Sequence, residues 1–174
     1  MESTGNFAGM WYDIEKNKEG IPMEQFTTDY DSLTQQIRAL TEDVPYLTAN
    51  LANTAALIWQ NVPGLNWAGF YQMTEGALVL GPFQGKPACI RIEVGKGVCG
   101  GAAEQGRTMR VENVHEFPGH IACDGASNSE IVVPLWKDGE LWGVLDMDSP
   151  HLARFSPKDQ DGLECAAKAI EAFL

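Results

Sequence analysis

Apolar positions in this chain change period several times, and each change marks an element. Over residues 28–40, Leu33, Ile37 and Leu40 recur at helical spacing, which predicts a first helix. Residues 44–60 carry Leu47, Leu51 and Ile58 with further apolar neighbours and predict a second. The segments "NWAGFYQM" (66–73) and "ALVLGPF" (77–83) read as strands joined by a hairpin at Thr74–Gly76. "TMRVEN" (108–113) reads as a short strand. "SEIVVPLWK" and "ELWGVLDMD" flank Asp138-Gly139, a pair suited to a tight primed turn, and Pro134 marks a bulge or an edge in the first of them. The chain closes with a helix capped by Ser156, with Pro157 at its first position and Asp159 at its third. Its apolar stripe is Leu163, Ala167, Ile170 and Leu174, and Cys165 lies off it.

Helices at both ends and antiparallel hairpins between them predict an α+β fold with helices packed on one face of a sheet. Residues 84–130 show little regular period yet hold Cys89, Cys99 and Cys123, three of the four cysteines. A long irregular segment in a compact domain is usually functional. Residues 1–24 show no sustained period and read as a loose N-terminal extension to a domain covering 25–174.

Composition narrows the partners. With 174 residues, 44% hydrophobic and 21% charged, the chain suits one globular domain. Its formal charge of -12 repels phosphate backbones and anionic lipid, so neither nucleic acid nor membrane is expected as a partner. Nine acids against three bases fall in residues 1–50, which read as a solvated face. No apolar run is long enough to span a bilayer, and no basic-then-apolar leader opens the chain, so a cytoplasmic location is expected.

In that compartment a structural disulfide is disfavoured. Zinc bound by some of Cys89, Cys99, Cys123, His115 and His120 is disfavoured too. There is no C-x-x-C pair, and ten positions separate Cys89 from Cys99. A thiol that is oxidised and then resolved by a second thiol remains. Asp146 and Asp148 stand two apart on one strand, on the same face as Val144, where an apolar strand meets a polar cavity. Carboxylates close to a thiol raise its pKa and blunt it as a nucleophile. The combination makes sense when the acids bind a cationic substrate group or protonate a leaving oxygen. A zwitterionic amino acid with a reducible oxygen meets that condition.

Five motifs, in order, closely resemble the free methionine-(R)-sulfoxide reductases, single GAF-domain enzymes. They are "NWAGFY" (66–71), "LVLGPFQGKPACIRI" (78–92), "GKGVCG" (95–100), "FPGHIACDGASNSEIVVPL" (117–135) and "GVLDMDSP" (143–150). The resemblance runs from about residue 28 to the C-terminus and implies a six-stranded antiparallel sheet flanked by helices, usually as a homodimer. It implies that free L-methionine (R)-S-oxide is reduced to L-methionine. Cys123 would take the oxygen as a sulfenic acid, Cys89 would form the disulfide with it, and Cys99 matches a third family cysteine that some assignments make catalytic. It further implies substrate contacts from Trp67, Tyr71, Glu130, Asp146 and Asp148, no bound cofactor or metal, and thioredoxin as the reductant. The alternative is a GAF domain that only binds a small ligand or senses redox state. The lack of an output domain within 174 residues speaks against it.

Overall fold

The computed structural model describes residues 26–119 and 125–174. The expected loose extension, residues 1–24, lies outside the described residues, as do His120 and Cys123.

Helix α1 spans Tyr30–Thr41, opened by Asp29, whose carboxylate accepts the Ser32 N–H at 2.9 Å. Its buried stripe is Tyr30, Leu33, Ile37 and Thr41; Leu40, expected on that stripe, is exposed instead. Four residues on from Ile37 is Thr41, and its hydroxyl is satisfied within the helix by the Ile37 carbonyl at 2.9 Å. Helix α2 spans Leu47–Asn61, starting three residues later than residue 44 because Pro45 biases Val44 away from helical angles.

Strands β1 (Trp67–Thr74), β2 (Ala77–Gly85), β3 (Arg91–Glu93), β4 (Met109–Val111), β5 (Ser129–Lys137) and β6 (Glu140–Ser149) form one antiparallel sheet in the order β3-β2-β1-β6-β5-β4. Both expected hairpins close on two left-handed residues, Glu75-Gly76 (φ 50° and 79°) and Asp138-Gly139 (φ 51° and 82°). These are the positive φ values of a type I′ turn. Pairing with β4 stops at Val132 and a bulge follows Leu135, so Pro134 sits where a missing N–H is tolerated.

Helix α3 (Gly97–Gln105) and a 3-10 turn at Val114–Glu116 occupy the stretch that showed no period. Helix α4 spans Pro157–Glu171 with the full capping box of Ser156 and Asp159. Helices α1, α2 and α4 share one core with Ala68, Phe70, Ile131, Val133, Leu135, Leu145 and Met147. The alternate residues Trp67, Tyr71, Val132 and Val144 face a second core built on α3. The expectation of helices on one face is therefore corrected: α3 covers the other. Nearly every α3 residue is buried, so no amphipathic stripe was there to be read.

Candidate active site

The face of the sheet beneath α3 turns from apolar to acidic along β6. Val144 belongs to the apolar core, Asp146 follows at 6% exposure, and Asp148 comes next on the same side. Register does the rest. Asp148 pairs across to Glu130 on β5 and to Trp67 on β1, and Asp146 pairs across to Val132 and Gly69. Two neighbouring strands thus place three carboxyl groups beside an indole. Trp67, Tyr71, Cys99, Glu130, Asp146 and Asp148 line a single cavity.

The aromatic wall is held from behind. Trp67 stacks on Phe83 with 5.3 Å between ring centroids and on Tyr71 at 5.8 Å, and its Nε1 donates to the Lys86 carbonyl at 3.1 Å. Gly69 makes room for that stack: a Cβ there would meet Phe83 and lie 2.7 Å from the tip of the indole. Neither Gly69 nor Phe83 had been marked as a site residue. Their role depends on which side chains share a face after pairing.

Electrostatics set the protonation of the wall. Burial pushes the Asp146 carboxyl up to about 7, partly offset by hydrogen bonds with Cys99 and Glu130. Glu130 is raised well above the ordinary carboxyl range, first by burial and then by the charges of Asp146 and Asp148. Two carboxyls can hydrogen-bond to each other only when one carries a proton, so Glu130 and Asp146 titrate as a pair that retains a proton near neutrality. Asp146 Oδ1 has no hydrogen-bond partner among the described residues. Tyr71 is likewise raised, by burial and then by Asp146, and keeps its hydroxyl proton.

The cysteines divide into distinct environments. Cys89 is disulfide-bonded, whereas Cys99 and Cys165 are free thiols. Cys89 is half-buried and packs on the cluster that surrounds the cavity, next to Ala88, which lines it. Cys99, in the first turn of α3, lies 3.8 Å from Glu130 Oε1. Burial, then the charges of Asp146 and Glu130, pushes its thiol well above the usual value, so it is held protonated. Cys165 is exposed on α4. Of the zinc set weighed in the sequence, His115 turns its Nε2 to Asn128 Oδ1 at 2.8 Å and to no cysteine among the described residues.

In "GVCGG", Gly100 serves packing: a Cβ there would collide with the Glu93 carbonyl at the end of β3. Two polar residues absent from the expected set join the cavity wall, Lys96 and the buried Ser127, which is hydrogen-bonded to Asn66 Nδ2 at 3.0 Å. Both fall inside motifs quoted above, but neither has a spacing that would single it out.

Residues 32–174 match the GAF domain family model. A free methionine-R-sulfoxide reductase of Escherichia coli is 48% identical over 148 residues, covering 85% of this chain and 90% of that protein. The fRMsr of Staphylococcus aureus in its reduced form superposes with a TM-score of 0.83 at 49% identity, covering 85% of this chain and 96% of that one. The free methionine-R-sulfoxide reductase of Neisseria meningitidis in complex with its substrate gives 0.80 at 46% identity, covering 83% and 87%. With its six-stranded antiparallel sheet and this cavity, the chain belongs to the GAF-domain family and, within it, to the free methionine-R-sulfoxide reductases.

Proposed function

We infer that this protein reduces free L-methionine (R)-S-oxide to L-methionine by a dithiol cycle. The observation that carries the reading is the cavity itself, in which an aromatic wall faces three carboxyl groups beside a disulfide-bonded cysteine. Trp67 and Tyr71 take the methylthio end. Glu130 and Asp148 hold the ammonium, and Asp146 supplies a proton to the sulfoxide oxygen. Its carboxyl, raised to about 7, carries that proton near neutrality, as a general acid must.

Cys123 is the nucleophile. Its thiol sulfur takes the oxygen, releasing methionine and leaving a sulfenic acid; the Cys89 thiol condenses with it, expels water and forms the disulfide. A thioredoxin-type dithiol returns both thiols and is itself oxidised, so two electrons pass per turnover. Cys99, buried and held protonated by the same acids, suits the wall of the pocket better than the attack. The protein acts as a cytoplasmic homodimer with no bound cofactor.

The test compares free L-methionine (R)-S-oxide with its N-acetylated, C-amidated form in a thioredoxin-coupled NADPH assay. The blocked compound offers a neutral amide where the acids require an ammonium, which costs several kcal/mol. Discrimination of about a thousandfold is expected. Comparable rates on both would remove the amino-group recognition and the substrate with it.

A further inference from the structure

One oxygen each of Glu130 and Asp146 and the sulfur of Cys99 all lie within 4.8 Å of one another, and all three residues are buried. The sulfur-to-Glu130 separation is 3.8 Å. In tetrahedral zinc, with bonds of about 2.3 Å to sulfur and about 2.1 Å to oxygen, that edge is roughly 3.6 Å. The sulfur-to-Glu130 edge is thus already near that of a zinc site, and the other edges have to close from at most 4.8 Å. Asp146 supplies an independent sign: it is 6% exposed, lines the cavity, and its Oδ1 has no partner among the described residues. A buried oxygen of this kind calls for a donor or a cation. Asp148 lines the same cavity, and three protein ligands leave a fourth position open.

We propose that Cys99, Glu130 and Asp146 of the reduced protein form an exchangeable site for a borderline or soft divalent cation such as zinc, whose occupancy excludes substrate. The thiolate selects the class, because magnesium and calcium prefer all-oxygen shells. Binding releases two protons to solvent, one from the Cys99 thiol and one from the Glu130–Asp146 pair, and changes no oxidation state. The site differs from the histidine and cysteine set considered from the sequence, since it uses one thiol and two carboxylates from α3, β5 and β6. It inhibits rather than assists, because a cation there takes the carboxylates that an ammonium or a sulfoxide oxygen would use.

The test titrates the reduced, metal-free full-length protein with cadmium and follows the ultraviolet thiolate-to-cadmium band. One cadmium per chain is expected, displaced by zinc and by free methionine but not by magnesium. The band should persist in Cys89→Ser, Cys123→Ser and Cys165→Ser and vanish in Cys99→Ser. A band that survives Cys99→Ser, or is lost in Cys123→Ser, would place the cation on other thiols and overturn the site. Should Cys99→Ser fail to fold by circular dichroism, Glu130→Gln is read in its place; weakened cadmium binding supports the site and unchanged binding overturns it. Reductase assays on metal-free protein run alongside, and failure there touches the reductase reading alone.

Discussion

Asp146 carries the sharpest conflict between stability and use. Its carboxyl is raised to about 7 by burial, so folding favours the neutral acid. The sign follows from linkage: the folded chain binds this proton more tightly than the unfolded one. Stability from this group is therefore full below about pH 4 and declines as pH rises towards 7. Asp146→Asn removes that loss. We expect the variant to melt above the wild type at pH 8, with the gap narrowing by pH 5, while turnover collapses because the proton donor is gone. Thermal melts at the two pH values and steady-state rates check both halves. Equal melting at both pH values would contradict the raised carboxyl.

The proposed dithiol cycle makes different demands on the thiols. Cys123→Ser should release no methionine, since a hydroxyl is a far weaker nucleophile at neutral pH. Cys89→Ser should release about one methionine per enzyme and then stall as the sulfenic acid. Single-turnover methionine release separates them. Normal release by the Cys123 variant would move the attack to Cys99.

At the scale of elements, α3 depends on residues without side chains. Gly100 lets the helix settle against the Glu93 carbonyl, with the Gly100 carbonyl accepting the Gly95 N–H at 2.8 Å. Gly100→Ala should push α3 off β3 and displace Cys99 from Glu130. An overpacking cost of about 1–3 kcal/mol is expected, read by urea unfolding, with a raised Michaelis constant. A second device clasps α1 to α4. The Tyr30 hydroxyl donates to Asp159 Oδ1 at 2.6 Å, and the fully buried Arg154 lies 3.3 Å from Oδ2 while its Nε donates to the Pro63 carbonyl at 2.9 Å. Burial opposes charge on Asp159, but hydrogen bonds from Ser156 and Tyr30, with Arg154, hold its carboxyl below the usual value. Its contribution is therefore present above the ordinary carboxyl pKa and is lost as pH falls through the depressed one. Arg154→Ala leaves that acid without its partner and should cost about 3–5 kcal/mol in urea unfolding at pH 7.

Over the whole molecule, the sheet separates structural burden from chemistry. One face carries the apolar core with α1, α2 and α4, and the other carries the cavity under α3. The arrangement tolerates two buried acids, Glu130 and Asp146, and the half-buried Asp148 because the first core is independent of them. No described helix is long and apolar enough to cross a membrane.

Local chemistry was enough to place most elements and much of the site. Two left-handed turns, a capped final helix and the apolar runs of β5 and β6 are all written in neighbouring residues, and so is the shared face of Asp146 and Asp148. Helix α3 was not legible, because a glycine-rich segment buried on all sides has neither propensity nor period to announce it. Nor was the clasp, since nothing local marks Arg154 as a buried cation 91 residues from the carbonyl it meets. Pairing decided the remainder. Register brings Glu130 opposite Asp148 and Gly69 opposite Asp146, and burial then keeps a proton on the Glu130–Asp146 pair. Those are properties of distance and dielectric, which the order of residues does not contain until the chain has folded.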